Sequence, residues 1–186
     1  MKYPMTIAGL KRELPLCKVG ENFYIAAFIM FGDPEITVAC ARELLKKAPK
    51  DYDYLLTAEA KSIPLIHEMA RQSGADTYFV ARKGMKVYLT NPLHVGVNSI
   101  TTQHEQELFL SGEDAQKLKG KRVLIVDDVI STGESLKAVE KLVKQAGGNV
   151  VGKMAILAEG AAQDRPDILY LEKLPLFNPD GSIKQG

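Results

Sequence analysis

Residues 123–135, VLIVDDVISTGES, run from four consecutive apolar side chains into two adjacent aspartates and then into a turn of small residues. An unbroken apolar run bounded by charge has no side suited to water, so it reads as a strand covered on both faces. Strands of that kind belong to parallel sheets with helices packed above and below.

The rest of the chain supplies the alternation such a sheet needs. GDPEITVACARELLKKAPK, from Gly32 to Lys50, reads as a helix with Asp33 as its cap and Pro34 in its first turn. YDYLLTA is a short strand and IPLIHEMARQSG a helix stopped by Gly74. DTYFVA and KRVLIV are further strands, the second of them ending at the aspartates. ESLKAVEKLVKQAGG is a helix with Leu136, Val139, Leu142, Val143 and Ala146 inward, ended by Gly147 and Gly148, and NVVGKMAILAE is the next strand. The expected fold is therefore α/β, a parallel sheet flanked by helices. Residues 1–32 and 160–186 leave the alternation and are expected to meet as a small hood subdomain over a core of about 33–159, all in one domain spanning 1–186. Residues 84–106 carry Gly84, Pro92 and Gly96 without a clear period and read as a long flexible loop, either a lid or a two-stranded flap.

Ligands of a parallel sheet bind beyond the C-terminal ends of its strands. Asp127 and Asp128 stand at such an end. The turn after them leads into a helix, whose first N–H groups are unpaired and attract an anion. Gly133 allows close approach, and the hydroxyls of Ser131, Thr132 and Ser135 add donors, with Glu134 between them. A phosphate cradle beside carboxylates that accept bonds from neutral hydroxyls describes a site for a ribose 5-phosphate. Other phosphate motifs, GxxxxGK[ST] and GxGxxG, are absent, and no His/Cys cluster suggests zinc.

At these residues the chain resembles the type I phosphoribosyltransferases, whose signature is a hydrophobic strand, two acids and a small turn ending near Thr-Gly. The resemblance runs from about Ile25 to Phe177 and is nearest to the adenine and xanthine members. It implies transfer of the phosphoribosyl group of phosphoribosyl pyrophosphate (PRPP) to a purine, adenine favoured, with Mg2+ carried mainly by PRPP and water and no protein metal ligand. It also implies catalytic roles for Asp127 and Asp128 and a 5′-phosphate on Ser131, Thr132, Gly133, Glu134 and Ser135. Pyrophosphate would fall to Ala60, Lys61 and Ser62 of LLTAEAKSIPL and to Arg82, Lys83 and Lys86 after VARK. The base would fall to Phe28, Phe31 and Val129. Members of the family often hold the pyrophosphate loop with a non-proline cis peptide, which the resemblance places at Ala60–Lys61. A homodimer is implied as well, because the basic residues can reach the neighbouring subunit's site. The loop SITTQHEQE lacks the lysine that xanthine members carry near Thr102, and EAKSIP lacks the Arg-Gly pair of adenine members.

Composition narrows the alternatives. A net charge of +1 on 186 residues gives no field to recruit nucleic acid or a membrane surface. No apolar run nears the roughly 20 residues of a membrane helix, and the first residues lack a signal-peptide core, so a cytoplasmic enzyme is expected. The competing reading is a non-catalytic homologue that keeps the sugar-phosphate site as a sensor.

Overall fold

In the computed structural model of the chain, residues 1–20, 23–97 and 106–184 are described. Five strands form the central parallel sheet: β4 (Tyr54–Ala58), β5 (Phe79–Ala81), β8 (Arg122–Ile130), β9 (Asn149–Glu159) and β10 (Leu169–Leu174), in the order β10-β9-β8-β4-β5. Helices α1 (Pro34–Lys47) and α2 (Ile63–Ser73) pack on one face; α4 (Glu134–Gln145) packs on the other. Leu124 and Val126 of β8 point into the first layer, Val123 and Ile125 into the second. This two-sided burial is what the apolar run requires.

The local signals act as expected. Asp33 accepts a bond from the Ile36 N–H at 3.1 Å and caps α1, and Gly74 ends α2 in the left-handed conformation at φ 73°. All five apolar positions read along α4 are buried.

Three regions differ from the sequence reading. First, β8 does not stop at the aspartates; it continues beside β9 as far as Ile130, paired with Ala158. Asp127 and Asp128 are strand residues, and the turn begins only at Ser131. Second, the stretch from Gly160 is not all hood. β10 pairs in parallel with β9 and extends the central sheet, leaving β11 (Leu176–Phe177) as the strand that reaches the terminal sheet. That second sheet is antiparallel, ordered β1-β2-β3-β11 from β1 (Lys2–Ile7), β2 (Leu10–Lys18), β3 (Tyr24–Ala26) and β11, so both chain ends do meet in it. Its hairpin turns at Ala8 and Gly9, both at positive φ, the geometry of a two-residue hairpin loop. Arg12 of β2 bonds Asp33 at 2.7 and 3.0 Å and Glu35 at 2.8 Å, which ties this sheet to the start of α1.

Third, the long excursion takes the two-stranded form among the readings offered for it, but it packs into the core and does not stand free as a flap. β6 (Leu93–Val97) and β7 (Gln106–Leu110) form an antiparallel pair, and Val95, Leu108 and Leu110 are buried in the core against the α4 layer. Its tip, residues 98–105, lies outside the described residues. A short helix, α3 (Gly112–Leu118), follows; the Ser111 hydroxyl caps it by accepting from the Asp114 N–H at 3.1 Å. Among the described residues no helix is long and apolar enough to cross a membrane.

Candidate active site

The chain leaves β4 toward β5 on one side and returns to β8 on the other, so the order in which strands are added reverses between β4 and β8 while all five stay parallel. Their pairing ends at Leu56 and Ile125, whereas β8 stays paired with β9 up to Ile130. β4 and β8 therefore part beyond Ile125 and open a crevice at the C-terminal edge of the sheet, the position where parallel sheets take ligands.

Ser62, at the start of α2, bridges this crevice. Its hydroxyl donates to Asp127 Oδ1 at 2.6 Å and accepts from the Asp128 N–H at 3.3 Å. Lys61 Nζ lies 2.9 Å from the buried Asp128 Oδ2 and forms an ion pair with it, the one partner that oxygen has among the described residues. Burial raises the Asp127 carboxyl above the ordinary range, and the neighbouring Asp128 charge adds to the shift. The two acids thus sit close together, one held by a hydroxyl and the other by an ammonium that is half exposed. The half-exposed ammonium can be exchanged for another donor, whereas the buried hydroxyl stays in place.

Around the acids, the residues read as a pyrophosphate site divide. The non-proline cis peptide joins Glu59 to Ala60, one bond before the position expected from the resemblance. Its place follows from the strand: β4 ends at Ala58, and Glu59 N–H still bonds Ala81 O at 2.8 Å in continuation of the β4–β5 ladder. Among the described residues the N–H groups of Ala60, Lys61 and Ser62 have no acceptor, and the loop offers those of the exposed Ala60 and Lys61 to a ligand. Ser62 is only 1% exposed, and its hydroxyl is committed to Asp127. Arg82 is committed too: its Nη2 bonds Glu59 Oε1 at 3.0 Å, and Glu59 Oε2 receives the Lys83 N–H at 2.9 Å. Arg82 also bridges Phe109 of β7 through its backbone. It acts as a brace between the loop after β4 and the β6–β7 pair. Lys83 and Lys86 have no ion-pair partner among the described residues and are the free cations of this edge.

On the other side of the acids, Gly133 is the N-cap of α4 at φ 80°, with no side chain capping the helix. Thr132 and Ser135 are exposed, and the Thr132 hydroxyl comes only within 3.5 Å of the Glu134 N–H. The Glu134 carboxylate turns away to Lys137 at 2.7 Å. The turn therefore keeps its amides available, as an anion site requires.

Of the residues assigned to the base, Phe28 is 4% exposed and packs in the core, Val129 is half-buried on β8, and Phe31 is exposed beside Pro64 and His67. Phe28 has no surface to give a ligand. Two further residues, Glu159 and Arg165, border the crevice and were not singled out in the sequence. Glu159 ends β9, is buried, and has its carboxyl raised by that burial against the pull of Ser131 and Lys61. Its signal was available: MAILAE repeats the pattern of an apolar strand ending in an acid.

The model of the phosphoribosyl transferase domain family matches residues 36–175. A relative from Methanococcus maripaludis, named a hypoxanthine/guanine phosphoribosyltransferase, is 31% identical over 157 residues, covering 82% of this chain and 80% of its own. One of the same name from Methanothermococcus okinawensis is 31% identical over 177 residues, covering 90% and 92%. Among solved structures, the adenine phosphoribosyltransferase of Thermoanaerobacter pseudethanolicus superposes with a TM-score of 0.64 at 24% identity, covering 77% of this chain and 84% of that one. The adenine phosphoribosyltransferase of Rhodothermus marinus gives 0.62 at 19%, covering 87% and 94%. These structures share the fold, and the sequence matches go further: an acid pair where the strand order reverses, followed by an uncapped helix start, is the centre of a chain that belongs to the phosphoribosyltransferase family.

Proposed function

We propose that the chain transfers the phosphoribosyl group of PRPP to a purine base, releasing pyrophosphate and a nucleoside 5′-monophosphate. The observation that carries this reading is the convergence on one crevice of the acid pair, the open turn 131–135 and the unpaired amides of Ala60 and Lys61. The ribose hydroxyls displace the half-exposed Lys61 from Asp128 and bind Asp127 beside the Ser62 hydroxyl, which keeps its bond. The 5′-phosphate takes the turn, and pyrophosphate takes the loop with Lys61, Lys83 and Lys86. Positive charge growing on the ribose ring is favoured by the carboxylates below it, and negative charge on the leaving group by the amides and ammonium groups.

Magnesium fits this arrangement as a partner of the substrate. Among the described residues no group of three or more His, Cys, Asp or Glu side chains converges to hold an ion directly. Asp128 Oδ2, buried beneath Lys61 Nζ at 2.9 Å, suits a water of the hydrated ion once that ammonium has moved. When bound, magnesium offsets the charge of the pyrophosphate. The exposed Met85, Val87 and Tyr88, on the segment that carries Lys86, support a homodimer that covers them.

The relatives' names move the choice of base. Those near 30% identity are named for hypoxanthine and guanine, and the adenine enzymes are alike in fold at 24% identity or less. We therefore place hypoxanthine and guanine ahead of adenine, the base first expected. Pyrophosphate release measured with PRPP and each of adenine, hypoxanthine, guanine and xanthine tests this. Turnover with a 6-oxopurine supports the reading. Turnover with adenine alone reverses the order, and tight PRPP binding without turnover on any base points to the sensor.

Lys61 has to leave Asp128 before sugar hydroxyls can bind there, and it then lies beside the pyrophosphate. Lys61→Met is expected to raise KM for PRPP and lower kcat/KM by about tenfold or more, the value of one charge-assisted bond. Steady-state kinetics that match the parent chain would remove Lys61 from the site.

A further inference from the structure

We infer that Arg165 is a ligand of the sugar 5′-phosphate, completing the anion site at the start of α4; this rests on the phosphoribosyl reading above. A Cβ built on Gly133 would lie 2.5 Å from Arg165 Nη1, so the guanidinium stands directly over the helix N-cap. Cations are out of place there, because the N-terminal end of a helix carries partial positive charge. The usual partner at that end, an acidic or hydroxyl cap, is missing: Gly133 has no side chain, and Glu134 faces Lys137.

The guanidinium is nevertheless held in place. Its Nε and Nη2 bond Asp167 at 3.0 and 2.8 Å, and Asp167 is fixed in turn by Lys153 at 2.5 Å, which also reaches Glu140 at 3.1 Å. Those bonds consume two of the three guanidinium nitrogens. Nη1 has no acceptor among the described residues and faces the uncapped turn. A braced cation with one free nitrogen opposite a row of free amides is a pair of like charges that an anion between them would reconcile. A phosphate monoester on the turn would accept from the amides of α4 on one side and from Nη1 on the other. The 3-10 turn Gly160–Asp164 carries Arg165 there directly from Glu159 at the end of β9, so the β9–β10 connection contributes to binding as well as to topology.

Isothermal titration of the full chain with ribose 5-phosphate, and separately with magnesium methylenediphosphonate as the pyrophosphate probe, tests the assignment. Arg165→Gln is expected to weaken ribose 5-phosphate at least about tenfold and to leave the diphosphonate within about twofold. Unchanged ribose 5-phosphate affinity overturns the proposal, and so does an equal loss of both ligands, which would mean general damage or a pyrophosphate role. Should that variant fail to fold, Arg165→Lys is read by the same two titrations. A lone ammonium cannot serve Asp167 and a phosphate with separate nitrogens, so the same selective loss is expected in smaller degree. Failure of the unaltered chain to bind ribose 5-phosphate would instead sink the phosphoribosyl reading itself, and Arg165's role with it.

Discussion

Replacing Asp127 and Asp128 together with asparagine is expected to lower kcat/KM by at least about a thousandfold, since each removes a fixed charge from beneath a cationic transition state. The fold should survive the exchange. Asparagine keeps an oxygen to accept from Ser62, now at 2.6 Å from Asp127. The cost of burying a charge and the repulsion between the two acids, which raise the Asp127 carboxyl, disappear with the charges. Lys61 loses its counter-ion, but its side chain is 51% exposed and water can solvate it. Thermal unfolding should therefore show little change while pyrophosphate release falls almost to background. Catalytic efficiency close to the parent's would show that the acids do not touch the sugar, and the crevice would need another occupant.

Gly133→Val should act on binding as well as on the fold. At φ 80° a side chain strains the backbone by about 1–2 kcal/mol. Its Cβ would also displace Arg165 Nη1 from 2.5 Å away, and its methyl groups would fill the approach to the α4 amides. Saturation by PRPP should be lost, with a modest fall in melting temperature. Gly133→Ala should show the strain with less of the blockade. An unaltered KM for PRPP in the valine variant would place the phosphate elsewhere.

The central sheet was legible because its strands are covered on both faces, and such strands show as runs like VLIV and AIL. The acid pair and the turn were legible because polar groups interrupt those runs at the one edge where ligands bind. What escaped was set by geometry across the chain. β8 outlasts its acids because β9 continues beside it, a fact of pairing that residue type does not carry. The hairpin of β1 and β2 buries only Ile7 and Leu14 fully, so its alternation is faint. Arg82 looked like a free cation, yet Glu59, far from it in sequence, takes its charge. Arg165 sits in an unremarkable QDRPD stretch, and only the fold brings it over Gly133. The capping signal of α3 was present in SGED, but residues 111–118 lie between the 84–106 loop and the strand KRVLIV and were assigned no element.

The terminal sheet has a consequence for the order in which this protein is made. Tyr24 and Ile25 of β3 pair with Phe177 and Leu176, so β3 leaves the ribosome long before the strand that covers its edge. Until then an apolar Tyr-Ile-Ala edge offers its backbone groups to any extended chain nearby. Closing it requires a contact of large sequence separation, which is slow to form. The nascent chain therefore passes through a long stage in which the β3 edge is unprotected. Crowding on polysomes, or a stall shortly before Leu176, would expose this protein to strand-mediated association that the finished molecule avoids.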